Sequence, residues 1–237
     1  MKALEELDSF PHHSAGASDR GHAVVTGVFD QTTIVSTVVA LDRATLQRTK
    51  AGARHVLSHP SVAALAFDTR MLTIASRYVG DTPVPFRATL FDKSSSANWL
   101  VVWHQDTALP LRTRVDDPAW GPWSTKSGVL YAHAPASALE TVVALRLSLD
   151  DSTEMNGPLR VLPDTHRRGV LSQEEIDRLA ADIAPIDCTV AAGGVVVMRP
   201  LTVHASSKAK DDRPRRVLHI EYAANSTLGG GLKLATG

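Results

Sequence analysis

The sequence predicts a mainly β fold with flanking helices, of the closed β sandwich or jelly-roll type. Beyond Pro83 the chain consists of short segments that are rich in valine and leucine and are separated by glycine, proline or aspartate. Many short strands joined by turns give that pattern. The 237 residues suffice for one domain of this type or two small ones, and 43% of them are hydrophobic, which is ordinary for a globular fold with a core.

The N-terminal part is predicted to contain a loose lead-in, a strand and a helix. Residues 1–20 are polar and rich in Ser, His and Gly, so we expect them to be loosely held. Residues 21–29 form a β-branched run that favours a strand. Asp30 can then cap a helix that continues to about Thr49, with apolar residues on one face at Ile34, Val38, Leu41 and Leu46.

A second helix is predicted to begin at His59-Pro60 and to end at Gly80. Proline suits the first helical turn, and glycine suits the C-terminal cap. A shorter helix is predicted from the capping-box pattern that starts at Ser172. The remaining apolar segments predict strands at residues 85–93, 99–106, 141–150, 158–163, 184–190, 194–200 and 215–223.

The segment 107–140 separates two of these strands and is unusually long for a connection. It contains Trp120, Trp123, Tyr131 and several prolines. Connections of this length in compact domains are often lids or binding loops, so we interpret the segment as an inserted lid-like loop. The alternative is an ordered structural excursion whose tryptophans pack inward.

Composition excludes several classes of protein. Lys plus Arg and Asp plus Glu both number 25, so there is no basic field to hold nucleic acid or an anionic membrane. No apolar stretch is long enough to span a bilayer, and the acidic N-terminus lacks the apolar core of a secretory signal. Cys188 is the single cysteine, which rules out an internal disulfide. We therefore expect a cytoplasmic protein whose partner is a small molecule; the oligomeric state does not follow from the sequence.

The strongest chemical signal is the pair His104 and Asp106 at the end of an apolar strand. Residues two apart in a strand project to the same face, so the two side chains form two corners of a metal site. His204 ends the apolar run 194–204 and is the best third ligand. Two histidines and one carboxylate form the facial triad of non-haem iron oxygenases. A His-x-Asp pair alone is weak in a chain with 10 histidines, and its strand-end position together with His204 strengthens it.

An arginine follows this third ligand at the start of the last predicted strand. A dicarboxylate co-substrate needs a fixed, always-charged, two-pronged donor, and guanidinium suits that role. Arg215 and Arg216 are both candidates, because neighbours in a strand face opposite sides. Parity alone does not choose between them, since Leu218, Ile220 and Tyr222 share the face of Arg216. A surface charge at a strand start is the alternative for either.

Three segments together resemble the phytanoyl-CoA dioxygenase family, over roughly residues 20–223. FDKSSSANWLVVWHQD resembles the family segment that leads into its His-x-Asp pair, and RLSLDDSTEMNGPLRVLPDTH resembles its central Asn-Gly segment. GGVVVMRPLTVHASS followed by RPRRVLHIEYA resembles its distal histidine and arginine segment. One departure is Asp164, where the family usually has glycine.

The resemblance implies a double-stranded β-helix core (a cupin-like jelly roll) in one domain, residues 21–237. It implies iron(II), 2-oxoglutarate and O2 as cofactor and co-substrates, with the metal on His104, Asp106 and His204. It selects Arg215 over Arg216, because the family's arginine lies eleven residues past the distal histidine. It further suggests Ser206 as a hydroxyl donor to the 2-oxoglutarate carboxylate that Arg215 binds, and it matches Lys93 to a family lysine near the co-substrate. Related halogenases lack the metal-binding carboxylate, so Asp106 favours hydroxylation.

The expected function is hydroxylation of a small metabolite, a carboxylate or an amino-acid derivative, with release of succinate and CO2. Arg146 lies on a predicted core strand and can bind an anionic group, or can instead pair with Asp150 or Asp151. Trp123 and Tyr131 can line the pocket or simply pack the 107–140 segment. The main alternative is a non-catalytic, cupin-like metal-binding protein, which would not need an inward arginine. A zinc hydrolase is disfavoured because the His-Glu-x-x-His helix is absent.

Overall fold

A computed structural model describes residues 19–94 and 97–236, so nearly all of the predicted lead-in 1–20 lies outside the described residues. The strands form three antiparallel sheets. The major sheet has the order β1 (His22–Val25), β12 (Val195–Met198), β9 (Val142–Ser148), β14 (Arg215–Ala223), β4 (Val84–Lys93), β3 (Gly52–Arg54) and β2 (Arg48–Thr49). The minor sheet has the order β11 (Ile186–Cys188), β10 (Leu159–Val161), β13 (His204–Ser206) and β5 (Val101–His104). The third sheet has the order β6 (Ala108–Leu111), β8 (Val129–His133) and β7 (Trp123–Lys126).

Some helices pack on one face of the major sheet, and the other helices lie in connections between strands. The helices are α1 (Gln31–Arg43), α2 (Pro60–Ala66), α3 (Thr69–Val79), α4 (Ala136–Leu139) and α5 (Gln173–Asp182), with short 3-10 turns at Val56–Ser58, Thr165–Arg168 and Gly229–Gly231. Residues of α1, α2 and α3 join the apolar face of the major sheet in one buried cluster. No helix within the described ranges is both long and apolar enough to cross a bilayer.

Strand β14 separates this helix-packed core from the interior between the sheets. Leu218, Ile220 and Tyr222 are buried against the helices, and the Tyr222 hydroxyl donates a 2.9 Å hydrogen bond to the Ala66 carbonyl in α2. The intervening side chains of β14 project to the opposite face, toward the minor sheet. The predicted bounds of this strand, 215–223, are confirmed.

The first predicted helix is shorter than expected, and the second is divided into two helices. The first begins as predicted, with the Asp30 carboxylate accepting from Thr33 N, but it ends at Arg43 and not at Thr49. The Arg48 guanidinium donates to the Leu41 carbonyl in its last turn, and residues 48–49 join the sheet. The second helix was also predicted as continuous and is broken after Ala66, because the Asp68 side chain caps a new helix that Gly80 ends.

The 107–140 segment is an ordered small sheet with a short helix. Trp120 is buried in an apolar cluster with Leu109 and Leu111. This arrangement agrees with the alternative of an ordered excursion, and not with an open loop. Residues of the C-terminal stretch, Leu232 and Leu234, pack into the same cluster. Movement of the segment as a lid, and the single-domain boundary at residue 21, stay predictions.

Candidate metal centre

His104, Asp106 and His204 converge on one point of the minor sheet. His104 and His204 stand opposite each other across β5 and β13, with their ring centroids 4.2 Å apart. Asp106 lies two residues beyond the end of β5, where its amide N–H donates to the Pro200 carbonyl at 3.0 Å. One carboxylate oxygen lies 3.7 Å from His104 Nε2 and the other lies 3.5 Å from His204 Nε2. The potential ligand atoms all lie within 4.8 Å of one another.

The strand that carries His204 differs from the expectation. We expected this histidine to end the apolar strand that begins at Gly194, but β12 ends at Met198 and His204 opens the separate strand β13. Pro200 lies in the turn between them, where its missing N–H costs no ladder bond. The chain thereby passes from the major sheet to the minor sheet just before the histidine.

Backbone contacts fix both imidazoles in the tautomer that suits a metal. His104 Nδ1 donates to the Val102 carbonyl at 2.8 Å, and His204 Nδ1 donates to the Thr202 carbonyl at 2.9 Å. Each Nε2 is therefore left with its lone pair directed at the shared point. Burial lowers the pKa of His204 to about 4, against the attraction of Asp106, so this ring is neutral at physiological pH.

The carboxylate completes a donor set that fits iron(II). Burial on its own would raise the pKa of Asp106, but the basic side chains around it outweigh burial, and the pKa lies well below the ordinary value. Two neutral imidazoles and one ionised carboxylate on one side of an ion are the ligands of non-haem iron(II) oxygenases, which keep the other coordination positions open.

A second group of polar side chains joins the two main sheets beside the metal ligands. Lys93 and Arg215 are paired across β4 and β14. The Ser206 hydroxyl, on the same strand as His204, accepts from Lys93 Nζ at 3.0 Å and from Arg215 Nη2 at 3.2 Å. Arg215 Nε also donates to the Asn156 carbonyl at 3.2 Å.

Neither cation of this group has an anionic partner in the described part of the chain. Lys93 is 1% and Arg215 is 4% exposed, and no carboxylate of the described residues lies within 4.0 Å of either. Burial, followed by the neighbouring Arg215, lowers the pKa of Lys93 to about 8. Burial, followed by Arg146, lowers the pKa of Arg215 to about 9. Two buried positive charges without an anion fit the distal carboxylate of a dicarboxylate.

Arg216 lies on the other side of the strand and already has a partner. Its guanidinium meets the Asp150 carboxylate through Nε at 2.9 Å and Nη2 at 2.8 Å. The residue therefore has the position expected of a structural ion pair near the helix-packed face.

The three residues predicted to contact substrate have different positions. Arg146, on β9, lies in the interior and does not pair with Asp150 or Asp151 among the described contacts; its Nη1 lies 2.8 Å from His219 Nδ1. Tyr131 is buried, and the Arg87 guanidinium lies 5.4 Å from its ring centroid. Trp123 packs in the third sheet beside Arg114, and no described contact joins it to the metal ligands.

Three interior residues near the metal ligands were not predicted from the sequence. Arg87 and Glu221 form a buried ion pair, and His219 lies beside Arg146. His219 and Glu221 share the parity of Arg215 on β14, while Arg87 is paired with Glu221 on the neighbouring strand. Once Arg215 is taken as inward, that parity points to both residues.

Comparisons with known proteins agree with this fold. The apo form of EctD from S. alaskensis superposes with a TM-score of 0.69 at 18% identity, covering 94% of this chain and 80% of that chain. The same protein with bound Fe gives a TM-score of 0.64 at 20% identity over 88% of this chain and 74% of that chain. SnoN, a non-haem α-ketoglutarate-dependent epimerase from nogalamycin biosynthesis, gives 0.65 at 19% identity over 96% of this chain and 84% of that chain. No curated protein matches the chain.

The family model of phytanoyl-CoA dioxygenase (PhyH) matches residues 18–217. The expected jelly-roll core and the family resemblance are thereby confirmed. The chain belongs to the phytanoyl-CoA dioxygenase family and is an oxidoreductase, a non-haem iron oxygenase that uses iron(II), 2-oxoglutarate and O2.

Proposed function

We propose that this enzyme hydroxylates a small metabolite, a carboxylate or an amino-acid derivative. One oxygen atom of O2 enters the substrate and the other enters succinate, while 2-oxoglutarate loses CO2. The proposal rests on two groups of side chains that lie side by side between the sheets. One is the His-Asp-His cluster, and the other is a buried lysine and arginine that have no carboxylate partner among the described residues.

In this proposal His104, Asp106 and His204 are the metal ligands. Bound iron(II) supplies the activation of O2 that the side chains themselves lack. The chain holds both imidazoles in the required tautomer through backbone carbonyls, so little reorganisation accompanies metal binding. Retention of Asp106 favours hydroxylation over halogenation, because the carboxylate occupies the position that a halide would need.

Arg215, Ser206 and Lys93 bind the distal carboxylate of 2-oxoglutarate in this proposal. Both cations already donate to the Ser206 hydroxyl, so the three groups are held in place before the co-substrate arrives. An arriving carboxylate offsets the cost of burying two positive charges, which favours a dicarboxylate over a monocarboxylate 2-oxoacid.

Arg146 and Tyr131 remain proposed substrate contacts, while Trp123 is supported only as part of the third sheet. The position of Tyr131 beside Arg87, which pairs with Glu221 in the interior, supports a role for the third sheet in substrate binding. Closure of that sheet over a bound substrate would exclude water from the reaction. A cytoplasmic location is also proposed, on the sequence argument alone.

The test compares His104→Ala with His133→Ala in a 2-oxoglutarate turnover assay. We expect His104→Ala to abolish substrate-dependent succinate formation, because one of three proposed ligands is removed. His133 is an exposed histidine bonded to Thr107, and its replacement should leave turnover unchanged. Full activity of the His104 variant would refute the assignment.

The non-catalytic alternative is tested by absorption. Anaerobic iron(II) and 2-oxoglutarate together should give the weak visible charge-transfer absorption of the chelate. A chain that binds iron without developing this absorption would favour a structural metal site.

A further inference from the structure

Arg146 is an interior guanidinium with no anionic partner among the described residues. It is 9% exposed, and no carboxylate in the described ranges lies within 4.0 Å of it. Its contacts are His219 Nδ1 at 2.8 Å and the ring of Phe91, whose centroid lies 5.3 Å from the guanidinium carbon. A buried charge held only by neutral groups is costly, so the position favours an anion from outside the chain.

The contact with Arg146 fixes the tautomer of His219. Guanidinium only donates hydrogen bonds, so His219 Nδ1 must accept and the ring proton must lie on Nε2. The carboxylate oxygen nearest to Nε2 in the described chain is Glu221 Oε2 at 3.9 Å, which is too far for a hydrogen bond. Glu221 is in any case engaged by Arg87 through two contacts. Within residues 19–94 and 97–236, no acceptor is bonded to the Nε2–H of His219.

These two donors lie together and face the metal ligands. Arg146 and His219 are cross-strand neighbours on β9 and β14, on the same face as Arg215. Burial lowers the pKa of both Arg146 and His219, and the charge of Asp106 opposes this effect on each of them. The ring of Phe91 packs edge-on against His219 at a centroid distance of 5.8 Å, which limits the movement of the imidazole.

The proposed cofactors leave the charge of Arg146 unmatched. Of the two carboxylates of 2-oxoglutarate, one belongs at the metal and the other belongs between Lys93 and Arg215. Asp106 is a metal ligand, and Glu221 is neutralised by Arg87. No further anion is assigned to this interior in the described chain.

We propose that Arg146 and the Nε2–H of His219 together bind a carboxylate of the primary substrate, which makes the substrate an organic acid. This inference rests on the proposed function. The guanidinium supplies the charge, and the imidazole supplies a second, directional donor to the other carboxylate oxygen. The pair is a specificity determinant: it orients the acid so that a carbon at a fixed distance from its carboxylate meets the metal.

The test measures the preference for an acid over its own amide. Enzyme loaded anaerobically with iron(II) and saturating 2-oxoglutarate is titrated with acetate, hexanoate, benzoate and N-acetylglycine, each against its primary amide. Binding is followed by the change in charge-transfer absorption. We expect at least one acid to bind about 30-fold or more tightly than its amide, because a buried charge pair is formed only by the acid.

Three variants assign the preference to these residues. Arg146→Gln should reduce the acid-to-amide ratio to within about threefold, and His219→Phe should reduce it by about 2- to 10-fold through loss of one hydrogen bond. Arg160→Gln is the matched control, because Arg160 pairs with Asp187 near the surface and should keep the wild-type ratio. In Arg146→Gln the affinity for 2-oxoglutarate itself should change by less than about threefold.

The outcomes separate this inference from the proposed function. Acids and amides that bind alike in the wild type would overturn the inference and leave the oxygenase function intact. Weaker 2-oxoglutarate binding in Arg146→Gln by 30-fold would also overturn it, because Arg146 would then serve the co-substrate. Absence of any charge-transfer absorption in the iron-loaded wild type would instead contradict the proposed function.

A second measurement uses the protein without metal or ligand. Arg146→Met should raise the melting temperature because it removes an uncompensated buried charge, whereas Arg216→Met should lower it because it leaves Asp150 without its partner. A fall in melting temperature for both variants would mean that the Arg146 guanidinium is already satisfied within the fold, which overturns the inference.

Discussion

Replacement of Arg215 by glutamine should weaken 2-oxoglutarate binding far more than the same replacement of its neighbour Arg216. The Arg215 guanidinium is buried, donates to Ser206 and has no carboxylate partner among the described residues. Removal of one member of a buried, hydrogen-bonded charge pair costs about 2–5 kcal/mol, which corresponds to about 30- to 4,000-fold in affinity. Lys93 remains to bind the carboxylate in the variant, so we expect the lower part of that range, about 30- to 300-fold.

The assay is an anaerobic titration of the iron(II)-loaded protein with 2-oxoglutarate, followed by charge-transfer absorption. Arg216→Gln is the matched control, because it removes the same charge one residue away. Its affinity for 2-oxoglutarate should stay within about threefold of wild type, while its stability falls by about 1 kcal/mol through loss of the partly exposed pair with Asp150. Equal losses in both variants, or a change within threefold for Arg215→Gln, would refute the assignment of the distal-carboxylate site.

Three further predictions concern stability. Tyr222→Phe should lower the free energy of unfolding by about 1–2 kcal/mol in denaturant titration, because a buried carbonyl of α2 loses its donor. Asp68→Asn should lower the free energy of unfolding by about 0.5–1 kcal/mol at neutral pH, because the side-chain hydrogen bond from Arg70 holds the pKa of Asp68 below 3.8. The difference in stability between wild type and variant should be constant above about pH 5 and should shrink as acid protonates the folded carboxyl. A stability difference that grows in acid would contradict this direction of the pKa shift. Iron(II) and 2-oxoglutarate together should stabilise the protein by about 2.7 kcal/mol at a hundredfold excess over the dissociation constant, and a chelator should reverse the shift in calorimetry.

The sequence predicted the parts of the fold that depend on local pattern. The short apolar segment 215–223 predicted a strand whose bounds the structure reproduces, and the capping box at Ser172 opens α5 as expected. The His104 and Asp106 spacing placed two candidate ligands together, although the strand ends at His104 and a backbone bond to Pro200 holds Asp106.

Two predictions failed at places where the chain folds back on itself. Helix α1 ends early because Arg48 folds back on it, and periodicity alone does not show this. The prolines and tryptophans of 107–140 concealed a hairpin, although the dipeptide Ser127-Gly128 is a sequence signal for its turn. Both residues have positive φ in the structure, and a two-residue turn of that kind joins paired strands.

Strand parity alone did not identify the arginine of the 2-oxoglutarate site. Arg215 and Arg216 were indistinguishable from the residues alone, because the face that each occupies depends on which side the helices cover. The packing of Tyr222 against α2 decides the question, and it assigns His219 and Glu221 to the interior at the same time.

The most direct measurement is a crystal structure of the enzyme with iron(II) and 2-oxoglutarate, with the metal identified by anomalous scattering. The account predicts one ion bound by the Nε2 atoms of His104 and His204 and by the Asp106 carboxylate, at about 2.0–2.2 Å. It also predicts the distal carboxylate of 2-oxoglutarate within hydrogen-bonding distance of Arg215. An ion bound elsewhere, or a co-substrate whose distal carboxylate points away from Arg215, would contradict it.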